Sequence, residues 1–263
     1  MTFKPDFPLD QLPGDFPDFV KNSGCAVIRN AIPAGTIQSI LELAKQAYEA
    51  RDWQNRMGQL PDSLRQPGMY PAGHIFLSDL NPGPDQGNFV LKNIINPDLL
   101  DLISDLTGQS PAFVISNCLP RRQKCSGGPN PPVPFHQDGS FLPGIYFNFW
   151  IPLIQVNVDA PGLEVVITDS EEIIAPGNTV TGNSIYDRIE LPVNVLEEKF
   201  GEENFWHPVL EPGDILVLTH RTIHRTYWLD NMSRDRISLE IRFANAADTY
   251  LQKVLVKITN VLE

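Results

Sequence analysis

The chain changes texture at residue 111, and no other feature constrains its fold as strongly. From there the segments AFVISNCL, GIYFNFWIPLIQVNV, LEVVIT, DILVLTH and RISLEIRF are rich in β-branched and aromatic residues, with Gly and Pro between several of them. Before it, CAVIR (25–29) reads as one short strand and Pro33 opens a helix. In that helix Ile37, Ile40, Leu41, Ala44, Ala47 and Tyr48 recur at helical spacing. Residues 97–106 read as a second helix, closed by Gly108. Two helices followed by many short strands imply a mainly β domain with supporting α-helices, closed as a barrel or sandwich.

At 263 residues one domain is expected. It divides into N-terminal helical support (1–110), a β core (111–245) and a C-terminal helix (247–262). The last rests on Leu251, Val254, Leu255, Ile258, Val261 and Leu262, which share one helical stripe that covers a sheet or forms a dimer contact. A monomer or homodimer is therefore expected. Residues 52–90, with Pro61, Pro67, Pro71, Pro82 and Pro84, form a long irregular segment suited to walling or covering a pocket.

A formal charge of -12 and a pI near 4.8 make nucleic acid and anionic membrane poor partners. Cys25, Cys118 and Cys125 are too few for a disulfide framework, and an odd number. The opening MTFKPDFPLDQLPGDF has no apolar stretch fit for a signal peptide, so a cytoplasmic location is expected.

The chemistry-bearing string is PFHQDGSF, residues 134–141. On a strand, residues i and i+2 point to one face, so His136 and Asp138 can face a barrel interior while Gln137 faces away. The alternative is a turn at Asp138-Gly139. Two imidazoles and one carboxylate form a facial iron-ligand set that leaves the opposite face open. The third ligand must come from another strand. His220 and His224, both in GDILVLTHRTIHRTYW, compete for the place, and His224 is preferred. In RISLEIRF, Arg236, Ser238, Glu240 and Arg242 share one face, with Ile237, Leu239, Ile241 and Phe243 on the other. An arginine that opens a strand among polar neighbours suits a carboxylate ligand, and its plain alternative is a surface salt bridge.

These segments together resemble the phytanoyl-CoA dioxygenase-like branch of the iron(II)/2-oxoglutarate-dependent oxygenases. The resemblance runs through SGCAVIRNAIPAGTIQSI, HQDGSF, NFWIPL, DAPGLEVV, GDILVLTH and IHRT…DRISL. It implies a double-stranded β-helix (jelly-roll, cupin-like) with iron on His136, Asp138 and His224. It also implies that Arg236 and Thr226 grip the far carboxylate of 2-oxoglutarate, and that Asn117 helps bind it. Arg234 is the substitute if Arg236 is not that arginine. Asp138 argues against halogenation, for which related enzymes carry a small residue at this position. The implied activity is oxidation of a small molecule, most simply hydroxylation, consuming O2 and 2-oxoglutarate and releasing succinate and carbon dioxide. Demethylation, desaturation and rearrangement use the same oxidant. A non-catalytic cupin-like binding protein and a metal-dependent hydrolase are the readings from other classes. Candidate substrate contacts are Tyr70, His74, Phe76, Trp150 and Arg121, the last from the basic run Arg121, Arg122, Lys124.

Overall fold

The computed structural model describes residues 4–59, 75–80, 89–108, 110–125, 132–176 and 188–262. The N-terminal part supplies β1 (Asp6–Pro8), α1 (Phe16–Ser23), β2 (Cys25–Arg29), α2 (Ala34–Arg56), α3 (Phe89–Ile94) and α4 (Pro97–Thr107). α2 follows Pro33 and buries Ile37, Ile40, Leu41, Ala44 and Tyr48, the stripe its spacing predicts. At the start of α4 the Asn96 side chain accepts the Leu99 N–H at 2.8 Å; at its end Gly108 sits at φ +89°, where a side chain would be strained.

The β-rich part supplies β3 (Pro111–Val114), β4 (Leu119–Gln123), β5 (Tyr146–Pro152), β6 (Gly162–Val166), α5 (Val193–Phe200), β7 (Phe205–Trp206), β8 (Ile215–Thr219), β9 (Ile223–Tyr227), β10 (Arg236–Asn245), β11 (Leu255–Lys257) and α6 (Thr259–Leu262). In the larger sheet, β10 pairs antiparallel with β5 on one edge and with β4 and β3 on the other. β8 lies beyond β5, β2 beyond β8, and β1 pairs parallel with β2. The smaller sheet runs β7-β6-β9. Residues 133–136 extend it past β9, where His136 and His224 exchange both backbone hydrogen bonds at 3.0 Å. Along the chain the strands switch repeatedly from one sheet to the other.

Alternation sorts the faces of the larger sheet. Ala26, Ile28, Phe147, Phe149, Ile151, Ile215, Val217, Leu239, Ile241 and Phe243 join the helices in one core. The Phe243 ring packs between those of Phe113 (5.3 Å between centroids) and Phe149 (4.9 Å). Phe149→Ala is therefore expected to cost about 3–5 kcal/mol of stability, read from the denaturant midpoint. The opposite residues, Cys25, Val27, Trp150, Leu216 and Leu218, pack with Leu163 and Val165 of β6, so this core lies between the sheets. The outer face of the smaller sheet is closed by Phe135, Val166, Leu191, Leu196 and Ile223. Among the described residues no helix is long and apolar enough to cross a membrane.

Two local expectations are corrected. Residues 247–262 are not one helix, because Leu255–Lys257 pair with β3 and only Thr259–Leu262 are helical. The β-branched run VLVKIT suits a strand, and the free edge of β3 accepts it. The segment AFVISNCL is not one strand either. β3 and β4 are separated by the turn Ile115–Asn117, and Cys118 Sγ accepts the Arg242 N–H (3.3 Å) at the break. His224 lies on a strand of its own, β9, as a third ligand from another strand requires.

Candidate metal centre

β9 sends His224 and Thr226 inward, both buried, and Arg225 outward over the Phe135 ring. The neighbouring segment brings in His136. Asp138 does not lie on that strand, as strict alternation requires; it opens the turn Asp138–Ser140. This is the turn that Asp-Gly favours, and it still points the carboxylate inward. The turn is pinned by Gly139 N–H donating to the His220 carbonyl at 2.7 Å. A Cβ at Gly139 would stand 2.8 Å from that oxygen, so only glycine allows the approach. Gln137 faces away as expected. It is nonetheless buried, its amide donating to the carbonyls of Glu172 (3.0 Å) and Arg221 (2.6 Å) and accepting from Ile174 N–H (2.8 Å).

The three side chains meet. One ligand atom from each of His136, Asp138 and His224 lies within 4.8 Å of the others. Asp138 Oδ1 is 3.5 Å from His136 Nε2 and 3.9 Å from His224 Nε2. Each imidazole Nδ1 is 2.9 Å from a backbone carbonyl, Pro134 for His136 and Thr222 for His224. A carbonyl only accepts, so Nδ1 carries the proton and each Nε2 turns its lone pair to the common centre. Burial, reinforced by the neighbouring His136, pushes the His224 pKa down to about 4. Burial alone would raise that of Asp138, but Arg242 and both histidines outweigh it and hold it well below the usual carboxylate range. A carboxylate anion beside two inward lone pairs fits a divalent transition metal.

A chain of ion pairs stands behind Asp138. Arg242 Nη2 lies 2.7 Å from Asp138 Oδ2, while its Nη1 donates to the Asn117 carbonyl at 2.7 Å and lies 2.9 Å from Glu240. Glu240 is in turn 2.5 Å from Arg121. The sequence places Glu240 and Arg242 on one face of β10 but gives neither a role. The available signal was that a wholly polar face on a central strand must be buried.

Arg236 opens β10, is buried, and donates to the Gly162 carbonyl at 3.1 Å, with its guanidinium 5.4 Å from the Trp150 ring centroid. Gly162 pairs with Tyr227, next to the Leu163–Thr226 pair, so Arg236 reaches the end of β9 that carries Thr226. Arg234 instead is exposed and faces Asp159 at 3.4 Å. The Asn117 side-chain oxygen accepts from Ser116 Oγ (2.9 Å), and it is the Asn117 backbone that meets the site, through Arg242. His220 sits beside Tyr146 (5.9 Å between ring centroids), outside the cluster. Phe76 is exposed and its N–H donates to Asp79 (2.8 Å). Tyr70, His74 and much of 52–90 lie outside the described residues. Of the basic run, Arg121 is held by Glu240 and Arg122 by Asp52 in a two-bond fork (2.6 and 2.8 Å).

The interior also suits a polar guest. Tyr146 Oη, Asn148 Oδ1 and Ser238 Oγ are buried and lack a hydrogen-bond partner among the described residues. All three belong to the inward face of β5 or β10. Buried polar atoms of this kind call for a bound molecule or water.

Solved structures share this fold. The non-haem alpha-ketoglutarate-dependent epimerase SnoN from nogalamycin biosynthesis matches with a TM-score of 0.58 at 16% identity, over 92% of this chain and 85% of its own. The non-haem monooxygenase ThoJ matches at 0.58 and 12% identity, over 89% and 79%. SnoN in complex with Fe3+, alpha-ketoglutarate and nogalamycin RO matches at 0.54 and 16% identity, over 92% and 85%. No family model matches the chain.

Proposed function

We propose that this protein is a non-haem iron(II)- and 2-oxoglutarate-dependent dioxygenase that hydroxylates a small organic molecule, built on a double-stranded β-helix of the phytanoyl-CoA dioxygenase-like kind. The observation that carries the reading is the meeting of Asp138 Oδ1 with two Nε2 lone pairs in a buried space between two sheets. SnoN and ThoJ, which share the fold, are described as non-haem enzymes, and SnoN as alpha-ketoglutarate-dependent, which supports the choice of metal and cosubstrate. A binding protein without chemistry has no need of three convergent ligands, and a hydrolase none of Arg236.

His136, Asp138 and His224 would hold the iron. With 2-oxoglutarate and O2, iron in such a site supplies an oxidant able to remove hydrogen from an unactivated carbon, with succinate and carbon dioxide as by-products. The remaining tasks fall to the protein. Arg236 and Thr226 bind and orient the far carboxylate of 2-oxoglutarate, the guanidinium by its planar fork and the hydroxyl by one hydrogen bond. Trp150 packs under the guanidinium and limits its movement. The apolar core between the sheets keeps water from the closed end. Asn117 serves through its carbonyl, as an anchor for Arg242.

The mouth of the site favours an apolar substrate. The Phe141 ring is stacked near His136 (6.2 Å between centroids, 24° between planes) yet half exposed, and Ile173, whose Cδ1 lies beside Gly139, is also exposed. Exposed apolar side chains gathered beside a polar site mark a binding surface. Arg121 and Arg122 already hold carboxylates, so an anionic handle such as a coenzyme A tail lacks a receptor there.

The test is anaerobic addition of Fe(II) and 2-oxoglutarate, which should produce a weak visible charge-transfer band. No band at saturating concentrations of both would overturn the reading. In a screen of succinate release, neutral apolar compounds should accelerate turnover and coenzyme A thioesters should not. A product heavier by one oxygen atom identifies hydroxylation; one of unchanged mass points to epimerisation or rearrangement.

A further inference from the structure

We propose that Arg242 is a positioning residue: by occupying one oxygen of Asp138, it leaves a single oxygen for the metal and so keeps a coordination position open. The inference rests on the metal reading above. A carboxylate can ligate through one oxygen or both. Here the two oxygens have separate neighbours. Oδ1 faces the two Nε2 atoms at 3.5 and 3.9 Å, and Oδ2 faces Arg242 Nη2 at 2.7 Å. Both side chains are deeply buried, so the charged hydrogen bond competes with little water.

The guanidinium cannot easily swing aside. Its other amino group is held by the Asn117 carbonyl and by Glu240, and Glu240 is held by Arg121. The backbone N–H of Arg242 is fixed to Cys118 Sγ. Three elements, the turn Ile115–Asn117, β4 and β10, thus set the position of one planar fork. Lysine offers a point charge where arginine offers this fork, but its ammonium can still engage a single oxygen.

The consequence is a matter of counting. A six-coordinate ion held by two imidazoles and one carboxylate oxygen keeps three positions for outside ligands. A chelating 2-oxoacid takes two, and the third remains for O2. If Asp138 ligated through both oxygens, that third position would be lost.

The experiment uses the full chain and Mn(II) alone, with water-proton relaxation reporting the exchanging waters per bound ion. The wild type should show about three waters. Arg242→Met should still bind Mn(II), with relaxivity per bound ion lower by about one third, since two open positions remain of three. Arg242→Lys should restore the wild-type value. A wild-type value near two waters overturns the proposal whether or not the Met variant folds. An Arg242→Met protein with the wild-type relaxivity per bound ion overturns it too, and a merely structural role gives that outcome, weaker Mn(II) binding with an unchanged water count. Failure of the wild type to bind Mn(II) counts instead against the metal site itself.

Discussion

His136→Ala is expected to leave a folded protein that no longer holds Fe(II). The exchange of backbone hydrogen bonds between His136 and His224 survives loss of the imidazole, so the edge of the smaller sheet stays paired. Inside the site one of three ligands disappears. Removing a group that merely orients a ligand already weakens metal binding about 10–100-fold, so loss of the ligand itself should exceed about 100-fold. The visible band with 2-oxoglutarate should vanish, and Co(II) titration should show the same loss. His220→Ala is the matched control. Its ring lies by Tyr146, apart from the common centre, so that variant should bind metal as the wild type does. Retention of Fe(II) affinity within a few-fold in His136→Ala would remove the basis for the proposed function.

The two-residue period made much of this site legible. RISLEIRF announces a strand with one apolar and one polar face, and β10 has both, the apolar one against the helices and the polar one inward. The H-x-D spacing also reads correctly as two inward side chains around an outward one, although a turn rather than a strand delivers the second. The chain of ion pairs behind Asp138 was not legible, because it depends on register. Arg121 stands opposite Ser238, and Leu119 opposite Glu240, only because β4 docks on β10 in that alignment. The sequence offers Asn117 for its amide, whereas the fold uses its carbonyl, and no side-chain pattern announces a backbone acceptor. The C-terminal stripe misled for a related reason. Leu255 and Ile258 fit a helical face, but the run VLVKIT fits a short strand as readily, and the open edge of β3 decides between them.

Burial explains why these two readings differ in reliability. The inward face of β10 carries Arg236, Ser238, Glu240 and Arg242, all buried. Three charges on a central strand are costly unless each finds a partner or a ligand. Glu240 and Arg242 are matched by Arg121, by Asp138 and by each other. Arg236 lies at the other end of the strand, against Trp150 and the Gly162 carbonyl, on the side of Thr226. On the proposed function, that separation would divide one strand face between holding the metal ligand and holding the cosubstrate.

Arg236→Ala should therefore spare the metal and weaken 2-oxoglutarate. The far carboxylate would enter a buried site without its cation, at a cost of about 2–5 kcal/mol, or about 30- to 5,000-fold in Kd. Fe(II) or Co(II) affinity without 2-oxoglutarate should stay near the wild-type value, because Arg236 is not among the groups around Asp138. The visible band should keep its shape and require a higher 2-oxoglutarate concentration to reach it. Arg236→Lys should recover part of the loss, since a point charge remains but the two-bond fork does not. Arg234→Ala should change nothing, as that side chain is exposed and faces Asp159. Thermal melts of all three variants separate a binding defect from a folding one. If Arg236→Ala binds 2-oxoglutarate as tightly as the wild type while Fe(II) still binds, the carboxylate is held elsewhere. The assignment of Arg236, and with it the orientation of 2-oxoglutarate along β10, then fails even though the metal centre stands.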